Sequence, residues 1–211
     1  MKLLINPHPN EYTEDGKGSG GIWRVINAQA RWLPEYGIEI VDSEEKADIV
    51  CVHAGSIIQT GKPLVTVNHG LYWTGDMEWS REYWQYNIAV IEALRVAHKI
   101  ITPSEWVAHA IRRGMKKSPV VIQHGIDFEQ FEVAPHQGYV LWAKPRVDVV
   151  SDPKPMNQLA AGALDVQFVS SYGRATQNVK VIGAQPFADF QQTLAGAAVW
   201  LATARETGDI A

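Results

Sequence analysis

The 211-residue chain predicts an α/β protein of doubly wound, parallel-sheet type in two units. Three observations carry that expectation. Short, near-continuous apolar runs recur along the chain, as strands covered on both faces require. Stretches with a single apolar helical face lie between them. The alternation breaks once, at the polar, proline-bearing stretch "HGIDFEQFEVAPHQG", and then begins again. A first unit over residues 1–134 and a second over residues 138–211 follow.

Taken in order, the first unit's expected strands are Lys2 to Ile5, Ile38 to Val41, Asp48 to Val52, Pro63 to Val67, Lys99 to Thr102 and Pro119 to Gln123. A helix from Gly21 to Tyr36 places Ile22, Val25, Ile26, Gln29 and Leu33 on one face, and one from Arg81 to Ala97 places Trp84, Ile88, Ile91 and Leu94 likewise. In "PSEWVAHAIRRG", Ser104 suits an N-cap and Gly114 a C-terminal stop. The second unit's expected strands are Tyr139 to Ala143, Asp165 to Val169, Val179 to Gly183 and Ala198 to Ala202, with a helix from Phe187 to Leu194. Its sheet looks unfinished, because the last strand is expected near the middle of such a sheet.

Composition narrows the function classes. A hydrophobic content of 46% with 20% charged residues is that of a folded globular chain. The net charge of −4 offers no electrostatic reason for nucleic-acid binding. The basic run "RRGMKK" (Arg112 to Lys117) is either a local membrane-surface patch or a solvated helix end. Cys51, alone of its type, reads as a small core residue, which excludes a disulfide framework and a cysteine-built zinc site. The start "MKLLINPHPNEY" turns polar too soon for a signal peptide, and no apolar run nears the roughly 20 residues of a membrane span. A soluble, cytoplasmic protein is expected.

Candidate site residues cluster after the strands, where open α/β sheets bind ligands. "GKGSGG" (Gly16 to Gly21) precedes the first helix and, with Asp42 about 20 residues on, fits either a dinucleotide site or an anion- or sugar-facing loop. Some ten polar residues before the glycines count against the tight dinucleotide turn. His69 in "VNHGLYW" is placed to contact a sugar hydroxyl or to satisfy a turn; His124 in "IQHGIDFEQF" reads first as part of a crossover. Lys144, Arg146 and Lys154 in "LWAKPRVDVVSDPKPMNQLA" suit a diphosphate, Arg146 above all, since a guanidinium binds phosphate as a fork. Glu206 and Gly208, after the last strand, offer a carboxylate for sugar hydroxyls and free backbone N–H groups. Trp84, Trp106, Trp142 and Trp200 fall mostly at core positions, whereas Trp23 and Trp73 are the candidates for an acceptor-side ligand wall. Asp-x-Asp, His-Glu-x-x-His, Gly-x-Ser-x-Gly and P-loop motifs are absent, so no metal site is expected.

Together, "GGIWRVINAQARWLPEYGIEI", "HGLYW", "AHKIITPSEWVAHAI", "VVIQHGIDFEQF", "YVLWAKPR", "NVKVIG" and "ARETGDIA", in that order, resemble the retaining glycosyltransferases of family 4, which have the GT-B fold of two Rossmann-like domains. The resemblance covers nearly the whole chain and rests on the ordered series rather than any single segment. It implies one complete acceptor-side domain and the first half of a donor-binding domain. The chain is then a C-terminally truncated fragment with little or no activity of its own, since "ETGDIA" stops short of the family's second glutamate. It implies a nucleotide-sugar donor, an acceptor of unknown identity, and neither cofactor nor metal. Residue by residue, Gly20 and Gly21 match the family's glycine pair, His69 a position near the transferred sugar, Arg146 the diphosphate-holding arginine, Glu206 the first glutamate and Gly208 its adjacent backbone donor. Three departures stand out. The glycine before the arginine is missing from "AKPR". The gap from Arg146 to Lys154 is longer than usual, leaving Lys144 or Lys154 as the partner lysine. The family's asparagine in "NGVD" is His124 here. A nicotinamide-dependent oxidoreductase and a non-catalytic nucleotide- or glycan-binding module are the alternatives.

Overall fold

Each apolar run forms a parallel strand. The first unit holds β1 (Lys2–Asn6), β2 (Glu39–Val41), β3 (Ile49–His53), β4 (Leu64–Val67), β5 (Lys99–Thr102) and β6 (Val120–Val121), in the sheet order β2-β1-β3-β4-β5-β6. Its helices are α1 (Gly21–Trp32), α2 (Arg81–Val96) and α3 (Glu105–Met115). The second unit holds β7 (Tyr139–Trp142), β8 (Phe168–Ser170), β9 (Val179–Val181) and β10 (Ala197–Trp200), in the order β10-β7-β8-β9, with helices α4 (Lys154–Gly162) and α5 (Phe187–Gly196). The computed structural model describes residues 1–9, 21–56, 58–70, 81–126, 128–144 and 151–203, and the chain divides into two units between His124 and Gly125.

Strand side chains alternate between two packed faces, which is why the runs are continuously apolar. Leu3 and Ile5 of β1 and Cys51 of β3 meet Ile26 of α1 on one face. Leu4, Val50 and Val52 meet Leu64 and Ala93 of α2 on the other. Each such buried aliphatic side chain contributes roughly 1.5–3 kcal/mol of transfer free energy. In the second unit Trp142, Phe168 and Val179 pack on Met156 and Ala160 of α4.

Several boundaries and faces differ from expectation. The helix α1 stops at Trp32 and passes into a 3-10 turn, Leu33–Tyr36, which holds Pro34. Of the expected face of α2, Leu94 is buried, but Ile88 and Ile91 are 53% and 40% exposed, and Asn87, Val90, Ala93 and Ala97 are buried in their place. The small Ala93 explains the choice, because it lets the helix approach β4 closely enough for Thr66 Oγ1 to donate to its carbonyl oxygen at 3.2 Å. Strand β6 is only two residues long, and β8 begins three residues later than expected. The helix α4 was not anticipated by the basic pattern of its segment; Met156 and Ala160, one turn apart, are its buried signal. Trp142 is core, but Trp106 and Trp200 are half-exposed, 50% and 47%, correcting their assignment to the interior. Trp200 lies on β10, an edge strand among the described residues.

Ser104 caps α3 as expected, its Oγ accepting from Val107 N–H at 3.3 Å. The helix runs past Gly114 and ends at Met115, with Lys116 in the left-handed region at φ 54° and its N–H donating to the Arg112 carbonyl at 3.1 Å. A non-glycine residue there carries backbone strain, which exceeds the unfolded-state entropy a glycine adds. Lys116→Gly is expected to stabilise the first unit by about 1 kcal/mol, seen as a Tm rise of about 2–4 °C; an unchanged or lower Tm contradicts the cap assignment. The basic run behaves as a helix end: Arg112 pairs with Glu105 at 3.0 Å, and Lys117 Nζ donates to the Arg95 and Ala97 carbonyls at the end of α2. No described helix is long and apolar enough to cross a membrane.

Candidate functional site

The carboxyl ends of β3, β4 and β6 bring three histidines together. His53 is the last residue of β3, His69 follows β4 by two residues, and His124 follows β6 by three. Their rings stack in sequence. The His53 and His69 centroids are 5.2 Å apart at 28°, and those of His69 and His124 are 5.6 Å apart at 18°. The stack climbs from the interior to the surface: His53 is 1% exposed, His69 half-buried and His124 exposed.

Local structure holds this edge in place. Ser56 Oγ donates to the carbonyls of Asn6 and His53 at 2.9 and 2.8 Å, tying the ends of β1 and β3 together. Asn68 is fully buried; its N–H donates to the Ile101 carbonyl at 2.8 Å and its Oδ1 accepts from Gly70 N–H at 2.8 Å. Gly70 has φ 115°, a conformation that side chains rarely adopt, so the turn beyond His69 requires glycine. Asn68 Nδ2 is buried without a hydrogen-bond partner among the described residues.

A hydrogen-bonded chain runs behind the stack. Gln29 Oε1 of α1 lies 2.9 Å from His53 Nε2, and His53 Nδ1 lies 3.0 Å from His69 Nε2. Cys51 Sγ is 3.8 Å from His53 Nε2. Burial, with His124 nearby, lowers the His53 pKa to about 4. Burial, then His53 and His124, lowers that of His69 to about 3. Burial also depresses His124, and it pushes the Cys51 thiol up to about 12. At neutral pH the chain is uncharged, with hydrogen-bonding capacity but no net charge.

Of the sequence-derived candidates, His69 stands at the centre of this cluster, and His124, read first as a crossover residue, stacks on it. Gly21 opens α1, where an added Cβ meets nothing within 4 Å. Trp23 is partly buried against the Leu3, Ile5 and Ile26 cluster. Lys144 follows β7, its N–H 3.4 Å from Ser171 Oγ, and Lys154 begins α4, so both lie on the β7–α4 connection at that sheet's carboxyl edge. Asp42 is exposed and paired with Lys46 at 2.8 Å, which holds its carboxyl below the usual range. Gly20, Trp73, Arg146, Glu206 and Gly208 lie outside the described residues. Gln29 and His53 are not among the candidates the sequence supplies. One signal for Gln29 was present: it is the lone polar residue on the apolar face of α1. His53 carried none, because it closes an apolar strand.

Among solved structures, the chain resembles sucrose-phosphate synthase from Thermosynechococcus elongatus, with a TM-score of 0.70 at 12% identity over 99% of this chain and 77% of that one. It also resembles S. aureus MnaA, solved with UDP, with a TM-score of 0.52 at 12% identity over 94% of this chain and 72% of that one. These likenesses and the two parallel α/β sheets define a protein of the GT-B fold. No curated protein sequence matches the chain. The profile of Glycosyltransferase Family 4 matches residues 5–130, more than half of the chain, and the chain belongs to that family. That membership displaces the oxidoreductase alternative.

Proposed function

We propose that this chain serves the transfer of a sugar from a nucleotide-activated donor to an acceptor hydroxyl, with retention at the anomeric carbon and without a metal. The family match over residues 5–130 carries the reading, and the UDP found with MnaA supports a nucleoside diphosphate as the donor's leaving group. In the first unit His69 contacts the transferred sugar, Gly20 and Gly21 allow close backbone approach, and Trp23 and Trp73 serve the acceptor side. In the second unit Arg146, with Lys144 or Lys154, holds the diphosphate, Glu206 orients the sugar and the Gly208 N–H donates to it. The chemistry asks for little base strength. The acceptor hydroxyl attacks on the face the diphosphate leaves, its proton passes to the departing phosphate oxygen, and the cations stabilise the charge that develops there.

Calorimetric titration with a panel of nucleotide sugars tests this. At least one is expected to bind, and Arg146→Ala to weaken that binding roughly ten- to a hundredfold, as the loss of a charge-assisted phosphate contact does. Failure of every nucleotide sugar to bind, or equal binding by the variant, refutes the assignment.

A further inference from the structure

We infer that Gln29 and His53 are positioning residues that hold the His69 imidazole in its Nε2–H tautomer, leaving Nδ1 of His69 as an acceptor for a hydroxyl of the bound sugar. The sugar part rests on the function proposed above; the tautomer does not.

Gln29 Oε1 can only accept, so His53 Nε2, 2.9 Å away, carries the proton. The Cys51 sulfur, 3.8 Å from the same nitrogen, is a second, weak acceptor. A neutral imidazole has one N–H, so His53 Nδ1 is bare and must accept. The group it faces at 3.0 Å is His69 Nε2, which therefore donates, and the remaining His69 nitrogen, Nδ1, is bare in turn. A protonated His53 would instead donate from Nδ1 and reverse this bond, but at 1% exposure the ring has no solvent to support a charge and stays neutral. The stacked ring of His124 limits tilting of His69 on its open side. Nδ1 of His69 has no partner among the described residues. A bare nitrogen there selects for a donor: it accepts from a sugar hydroxyl and cannot donate to a phosphate oxygen or a carbonyl.

Long-range 1H–15N correlation spectra of the histidine-labelled full chain at neutral pH test the tautomer directly. His69 is expected to show a protonated Nε2 and an unprotonated Nδ1, in roughly tenfold excess over the other form, the ratio a single buried hydrogen bond supports. Gln29→Glu keeps an acceptor and should retain that pattern. Gln29→Leu removes it and should let the two forms mix. If the leucine variant does not fold, the wild-type and glutamate spectra decide. A wild-type His69 protonated at Nδ1, or the same tautomer in folded Gln29→Leu, overturns the positioning role. Saturation with a nucleotide sugar that binds should shift Nδ1 without protonating it, and an unmoved Nδ1 overturns the acceptor role. If no nucleotide sugar binds, the function proposed above fails, while the free-protein spectrum still decides the tautomer.

Discussion

Acidification from neutral pH to about pH 4 is expected to destabilise the first unit by several kcal/mol, with the loss setting in above about pH 5, where its carboxylates are still ionised. His53 and His69 are neutral in the fold, with pKa values lowered to about 4 and about 3. Once unfolded, both titrate near the ordinary histidine value of about 6.5. Between the folded and unfolded values the unfolded chain binds more protons, so stability is full above about pH 6.5 and falls steadily as the pH drops toward 4. Lowering the His53 pKa from the ordinary value to about 4 corresponds to about 3 kcal/mol. The His69 contribution is of similar order, and the two do not simply add because the rings face each other. Asp42 and Glu45, whose carboxyls are held below their usual range, add to the loss only below about pH 5, where the unfolded chain begins to protonate them. Urea midpoints at a series of pH values from about 7.5 to 4 measure the effect, and a double His53→Gln, His69→Gln variant should flatten the profile. A midpoint that does not move between pH 7 and 5 would show that these rings are charged or solvated in the folded protein.

Trp142→Ala is expected to remove about 3–5 kcal/mol from the second unit, the range for emptying a tryptophan-sized core site. Trp142 is wholly buried among Met156, Ala160, Phe168 and Val179, and its Nε1–H donates to Thr203 Oγ1 at 2.6 Å. The substitution opens a cavity and frees the Thr203 hydroxyl at once. Since domains are stable by about 5–15 kcal/mol in total, a small unit has little reserve. Trp142→Phe keeps most of the volume and loses the donor, so it should cost about 1–2 kcal/mol. Amide hydrogen exchange reads both: protection across β7 to β10 should collapse in the alanine variant while that of β1 to β5 persists. Undiminished protection of β7 and β8 would mean that Trp142 is not the centre of that core.

The strand series and its break were legible in the residues because burial on both faces writes itself as continuous apolar runs. Lys99–Thr102 matches its expected bounds, and Ser104 caps α3 through a purely local hydrogen bond. Where two faces of a helix compete, local pattern decided less. In α2, Ile88 and Ile91 present the more apolar face, yet the protein buries the one bearing Ala93, whose small side chain admits the sheet. Likewise α3 passes its glycine and stops at a lysine, since the cap belongs to whichever residue the chain's exit path turns left-handed.

The candidate site divides along the same line. His69 could be found in the chain because a polar pair after a β-branched run, Asn68 and His69, marks a strand's carboxyl end. Its partners could not: Gln29 and His53 are 24 residues apart, and His53 and His69 are 16. They meet because parallel pairing sets β3 beside β4 and α1 packs across them. Hydrogen-bond partners and the pKa shifts that follow depend on distances through space and on exclusion of water. Those quantities exist only once strands distant in the chain have been brought side by side.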